Sequence, residues 1–182
     1  MDDRTPGIRL RPSLGRRLDA MARRAFPCAC TILLMLLAAA PLGLPDQAML
    51  LPSMTLACVY FWSLFRPASM TPPMVFAIGL LLDLLGYMPM GLAVLMLLSV
   101  HGVTVQMRRF LTRHGFLLVW FAFLLIAAAA NIMVWAVGSL LTVRLLPFGP
   151  VIFQAVLATA LYPAVATLFA RAHTTVADPG RA

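Results

Sequence analysis

Residues 114–143 read HGFLLVWFAFLLIAAAANIMVWAVGSLLTV, a run of thirty positions without one Asp, Glu, Lys or Arg. A helix rises 1.5 Å per residue, so about 20 residues cross the ~30 Å hydrocarbon core of a bilayer. This stretch alone is long enough to span. The rest of the chain repeats the pattern. Between residues 25 and 170 the charged side chains are Asp46, Arg66, Asp83, Arg108, Arg109, Arg113 and Arg144. They divide the chain into apolar runs at 25–45, 47–65, 67–82, 84–107, 114–143 and 145–170. The third run is the shortest and opens on Pro72-Pro73; it is read as a helix over about 73–85, short or partly re-entrant. The predicted fold class is an all-α integral membrane protein, a bundle of six transmembrane helices. Three parts follow: a basic cytoplasmic tail over 1–24, a six-span membrane domain over 25–171 and a cytoplasmic tail over 172–182.

Composition leads to the same place. Of 182 residues, 62% are hydrophobic and 11% charged, with a mean hydropathy of +0.94. Soluble domains carry about 25% charged residues, and a 150-residue globule still exposes roughly 30% of its unfolded surface. Such a chain cannot hide its apolar side chains in one core, which excludes a soluble enzyme, a disordered regulator and a nucleic-acid-binding domain. The net charge of +8 comes from 14 basic against 6 acidic residues. Seven of the arginines crowd into residues 1–24, beside a hydrophobic segment, where the partner is an anionic phospholipid surface rather than nucleic acid.

Orientation follows from arginine placement. Six spans put the 1–24 tail, Arg66, Arg108, Arg109, Arg113, Arg171 and Arg181 on one side and leave Arg144 alone on the other. Both termini are therefore expected in the cytoplasm. Residues 26–40 after the basic tail imitate a signal peptide, but further apolar segments follow at once and the stretch is read as the first span. Within the tail Leu10, Leu14, Leu18 and Met21 recur at helical spacing, as in an amphipathic helix lying on the inner leaflet.

Sites of chemistry are scarce. The chain has no Glu, no G-x-S-x-G elbow, no H-E-x-x-H and no Walker motif. A metal-dependent transferase needs several carboxylates, so no catalytic residue, metal or cofactor is expected. Cys28, Cys30 and Cys58 lie in apolar runs without ligands at metal spacing and are read as packing residues. Isolated polar residues remain at membrane depth: Asp83, His101, Gln106, Asn131 and Gln154. Asn131 and Gln154 are expected to bond between helices, and His101 to pack or reach the interface. Asp83 is the costliest of these, because an intramembrane acid needs a partner and a helix C-terminus disfavours negative charge. Gly79 and Gly86 share its face and allow close backbone approach. In this topology Asp83 and Arg144 fall on the same side, and an ion pair between them is expected. The alternatives are a cap for the 86–91 turn or a contact for a partner chain.

The run Gly79, Asp83, Gly86, Pro89, Gly91 resembles the signature of the rod shape-determining protein MreD family. A second match is Gln154 followed by Tyr162-Pro163. The resemblance implies a non-enzymatic scaffold in the bacterial inner membrane that serves rod-shape maintenance and lateral peptidoglycan synthesis. Its implied partner is the bitopic protein MreC, with the filament protein MreB, the synthase RodA and a wall transpeptidase in the same complex. It also implies a fold similar to the substrate-binding subunits of energy-coupling-factor transporters. Gly79, Asp83, Gly86, Pro89, Gly91, Asn131, Gln154, Tyr162 and Pro163 are assigned structural or partner-interface roles. A small-solute-binding subunit of an uptake transporter is the alternative.

Overall fold

The computed structural model describes the backbone of residues 14–40, 47–85 and 89–177, with side chains over 25–40, 49–85, 89–169 and at Arg171. Among the described residues six α-helices follow one another: α1 (Leu14–Ala39), α2 (Gln47–Phe65), α3 (Pro72–Leu84), α4 (Leu92–Leu111), α5 (Phe116–Thr142) and α6 (Gly149–Ala177). No strand occurs among the described residues. The amphipathic pattern of the tail lies outside the described side chains. α1 begins at Leu14, inside the expected tail, and α6 runs past Arg171 to Ala177.

The helix ends fall where charge, proline or glycine interrupts the apolar runs. α3 opens on Pro72 after Thr71 in extended backbone (φ −82°, ψ 155°); proline suits this first position because its fixed φ is helical and its missing N–H is not needed. Arg108 and Arg109 occupy the last turn of α4, where cations favour the carbonyl end of the dipole. α5 closes with the Val143 N–H on the Leu140 carbonyl (3.3 Å) and the Arg144 N–H on the Ser139 carbonyl (3.2 Å). This is the Schellman arrangement, usually made by glycine. Here Val143 holds the left-handed position at φ 52°, and a β-branched residue there is strained.

The sequence predicts six spanning helices; six helices form, and two meet the length and composition of a span. These are Phe116–Thr142 and Gly149–Phe169, with hydropathies of 2.5 and 1.8. Only 28% and 33% of their apolar windows lie inside the bundle, so most of that surface faces outward. Ala25–Ala39, Met49–Phe65 and Pro72–Leu84 are apolar but shorter. α3, with 13 residues, is about 20 Å long.

α2 is the pillar of the bundle. It packs against α1, α4 and α6, while α3 lies on α4 and α5 joins α4 to α6. Every residue from 51 to 64 is buried except the half-buried Met54, as expected of a helix apolar on all sides. Two of its buried hydroxyls bond within the helix: Ser53 donates to the Met49 carbonyl at 2.9 Å and Thr55 to the Leu51 carbonyl at 2.8 Å.

Candidate functional site

The residues of the first motif that can be described form a clamp between α3 and α4. Gly79 brings the two helices together: a methyl group on it would lie 2.7 Å from the Val94 Cα, so only glycine allows this approach without moving backbone. One turn on, Asp83 is 3% exposed. Its Oδ2 accepts the N–H of Gly91 at 2.9 Å and that of Val94 at 3.4 Å, and its Oδ1 accepts the N–H of Ala93 at 3.0 Å. These amides open α4, and no side chain of α4's own caps them. Gly91 stands at φ 91°, a backbone state that favours glycine. The Pro89 carbonyl then accepts the Leu92 N–H at 3.2 Å. Gly86 lies outside the described residues.

Asp83 therefore has a different partner from the one expected. Among the described residues its carboxylate bonds amides and makes no ion pair with Arg144, which is exposed beyond the end of α5. The physical reason is the α4 N-terminus. Its unsatisfied N–H groups and positive dipole end supply the compensation that a guanidinium would otherwise give. The local-cap alternative describes this geometry.

At its other end α4 is held again. Arg108 Nε donates to the Leu64 carbonyl at 2.9 Å, satisfying an orphan acceptor in the last turn of α2. Between the two ends, Ser63 Oγ and His101 Nδ1 lie 2.7 Å apart in a buried contact between α2 and α4. His101 is 6% exposed and so packs inside the bundle rather than at an interface.

The second motif splits. Tyr162 joins an aromatic cluster, stacking on Phe123 with ring centroids 4.8 Å apart and meeting Tyr60 edge-on at 5.5 Å. Pro163 sits inside α6, where it cannot donate to the Thr159 carbonyl four residues back. The indole N–H of Trp120 on α5 takes that acceptor at 3.1 Å. Sequence reasoning missed this bond; the orphaned carbonyl before an intrahelical proline was the available signal.

Asn131 and Gln154, with Pro89 from the first motif, converge elsewhere. They line a cavity of about 450 Å³ between α2, the start of α4, α5 and α6, together with Pro52, Trp135, Gly138 and Thr142. The Asn131 side chain, 3% exposed, donates from Nδ2 to the Ala127 carbonyl of its own helix at 2.8 Å, not to another helix as expected. Among the described residues the Gln154 side chain has no hydrogen-bond partner, and its backbone carbonyl accepts from Ser53 Oγ at 3.4 Å. Trp135 is fixed by its indole N–H on the Leu146 carbonyl at 2.9 Å. Among the described residues no Asp, Glu, Lys, Arg or His lines the hollow.

Among the described residues no group of three His, Cys, Asp or Glu could hold a metal ion. Comparison with protein-family models, with curated proteins and with solved structures finds no match to this chain.

Proposed function

We propose that the chain is a non-enzymatic, multi-span scaffold of the bacterial inner membrane, akin to the MreD family, that binds the bitopic partner MreC in the lateral-wall machinery. In this reading all six helices cross the bilayer and both termini lie in the cytoplasm, where the arginine-rich segments meet anionic lipid. Apolar side chains face outward on every peripheral helix, among them Leu37 on α1, Leu80 on α3, Leu95 on α4, Leu125 on α5 and Val156 on α6. Apolar side chains exposed on so many helices are what lipid solvates.

One observation carries the reading. Gly79, Asp83, Pro89 and Gly91, the residues behind the resemblance, act as one structural unit, and Asp83 is committed to backbone amides. A motif of this kind positions helices, as a scaffold requires. The test is depletion in a rod-shaped host, which should round the cells and leave solute uptake intact, together with co-purification of MreC in mild detergent. Reporter fusions should be cytoplasmic at Arg66, Arg109 and Arg181 and periplasmic near Arg144. Normal shape and normal MreC recovery after clean deletion would overturn the proposal.

A second reading, a small-solute-binding subunit of an uptake transporter, is favoured by the cavity at Asn131 and Gln154. Loss of uptake of a defined solute on depletion, with shape preserved, would select it.

A further inference from the structure

We propose that the cavity between α2, α4, α5 and α6 is a binding site for a small uncharged molecule carrying an amide- or lactam-type edge on an apolar body. Its volume of about 450 Å³ falls in the range of small-molecule sites. The chemical class follows from which polar atoms are left to serve a ligand.

Asn131 is buried and has one bond, from Nδ2 to Ala127. No described residue donates to its Oδ1. Yet the only sealed side-chain nitrogen or oxygen without a partner among the described residues is Trp62 Nε1. The Asn131 oxygen is therefore not sealed, and the residue lines the cavity. Gln154, half-buried on the opposite helix, lines the same space. No described residue bonds its side-chain carboxamide. The free groups are thus an acceptor and one remaining N–H on α5 and an acceptor with two donors on α6.

The remaining wall is apolar, with Trp135 held by its bond to Leu146 and two prolines, Pro52 and Pro89. A charged ligand would find no countercharge among the described lining residues and would be desolvated without compensation there. A purely apolar one would strand the Asn131 oxygen and the Gln154 amide. A planar ring with a cis-amide edge meets both requirements: its N–H and C=O pair with a carboxamide, and its ring lies on carbon. This is the cavity that favours the second reading above, and a ligand bound there is equally compatible with the scaffold reading.

The experiment uses the full chain in neutral maltoside micelles with 2-quinolinone as the probe, followed by titration calorimetry and thermal unfolding. N-methyl-2-quinolinone, which keeps the ring and loses the donor, is the first control; quinoline-2-carboxylate, which carries a charge, is the second. Saturable binding of 2-quinolinone with a raised unfolding midpoint is expected, at least tenfold weaker for either control. Gln154→Leu should weaken binding at least tenfold while its midpoint without probe stays near that of the parent. Asn131→Leu should do the same if it folds, and Gln154→Leu decides if it does not. A non-saturating response, equal binding of the two quinolinones, preference for the carboxylate, or unchanged binding in Gln154→Leu would each overturn the proposal.

Discussion

Asp83 and Gly91 are joined by a 2.9 Å bond from the Gly91 N–H to Asp83 Oδ2, between the end of α3 and the start of α4. The acid that ends one helix is the cap that begins the next. Eight residues of separation make this a long-range N-cap, contributed by a neighbouring helix rather than by the residue just before the first turn.

Asp83→Ala removes the acceptor for three amides and should destabilise the bundle by about 2–4 kcal/mol. Asp83→Asn keeps an acceptor and should lose roughly half as much. Arg144→Ala should change stability by less than about 0.5 kcal/mol, and the double substitution should match Asp83→Ala alone. Reversible unfolding in mixed micelles measures all four; rescue of Asp83→Ala by Arg144→Ala would restore the ion pair as the explanation.

Gly79→Ala and Gly91→Ala should fail for different reasons. At Gly91 nothing lies near an added methyl group, so the cost is that of the left-handed backbone, about 1–2 kcal/mol. At Gly79 the obstacle is the Val94 backbone, and overpacking costs about 1–3 kcal/mol. Trimming Val94 to Ala should not rescue Gly79→Ala, because the Cα remains. Recovery of the parent midpoint in that double variant would place the clash in the Val94 side chain instead.

Trp120→Phe should cost about 1 kcal/mol by leaving the Thr159 carbonyl without its donor. In a Pro163→Ala background, the restored N–H competes for the same carbonyl, and the cost of Trp120→Phe should shrink toward zero. A double-mutant cycle reads this directly; equal losses in both backgrounds would show that the indole contributes only packing.

Val143→Gly should stabilise the chain by about 1 kcal/mol, since it removes a β-branched side chain from a left-handed cap and Val143 is 89% exposed. The same substitution at Val137, inside α5, should destabilise by about the helix penalty of glycine, ~1 kcal/mol.

The positions of the helices were legible because charge marks their ends: Arg66 follows α2, Asp83 closes α3, Arg108 and Arg109 close α4, and Arg144 lies just beyond α5. Gly79 and Asp83 stood out because an acid in an apolar run is rare and the glycine lies one helical turn before it, and Gly91 because it closes a Pro-x-Gly stretch. What Asp83 binds was not legible. Counting charges sees side chains, and in the expected topology Arg144 was the one cation on the same side as Asp83. The true partners are peptide N–H groups, which nearly every residue carries and no sequence pattern singles out. Asn131 illustrates the same blindness: an amide in an apolar run suggests a bond to another helix, whereas its bond is to Ala127 four residues back. The cavity was invisible too, because it is assembled from four helices whose relative placement only the fold supplies.

The burial of α2 on all sides bears on how such a bundle is assembled during synthesis. Its covering helices include α4 and α6, which leave the ribosome later. In the membrane setting proposed above, α2 would wait in lipid before it is enclosed. Ser53 and Thr55 are already bonded to their own helix, so that interval exposes no unsatisfied hydroxyl there. Ser63 and Tyr60 are different, because their partners are His101 on α4 and the Val119 carbonyl on α5. Docking of α4, then α5, would retire those two polar groups in turn, which gives the partly built chain a reason to complete itself in order of translation.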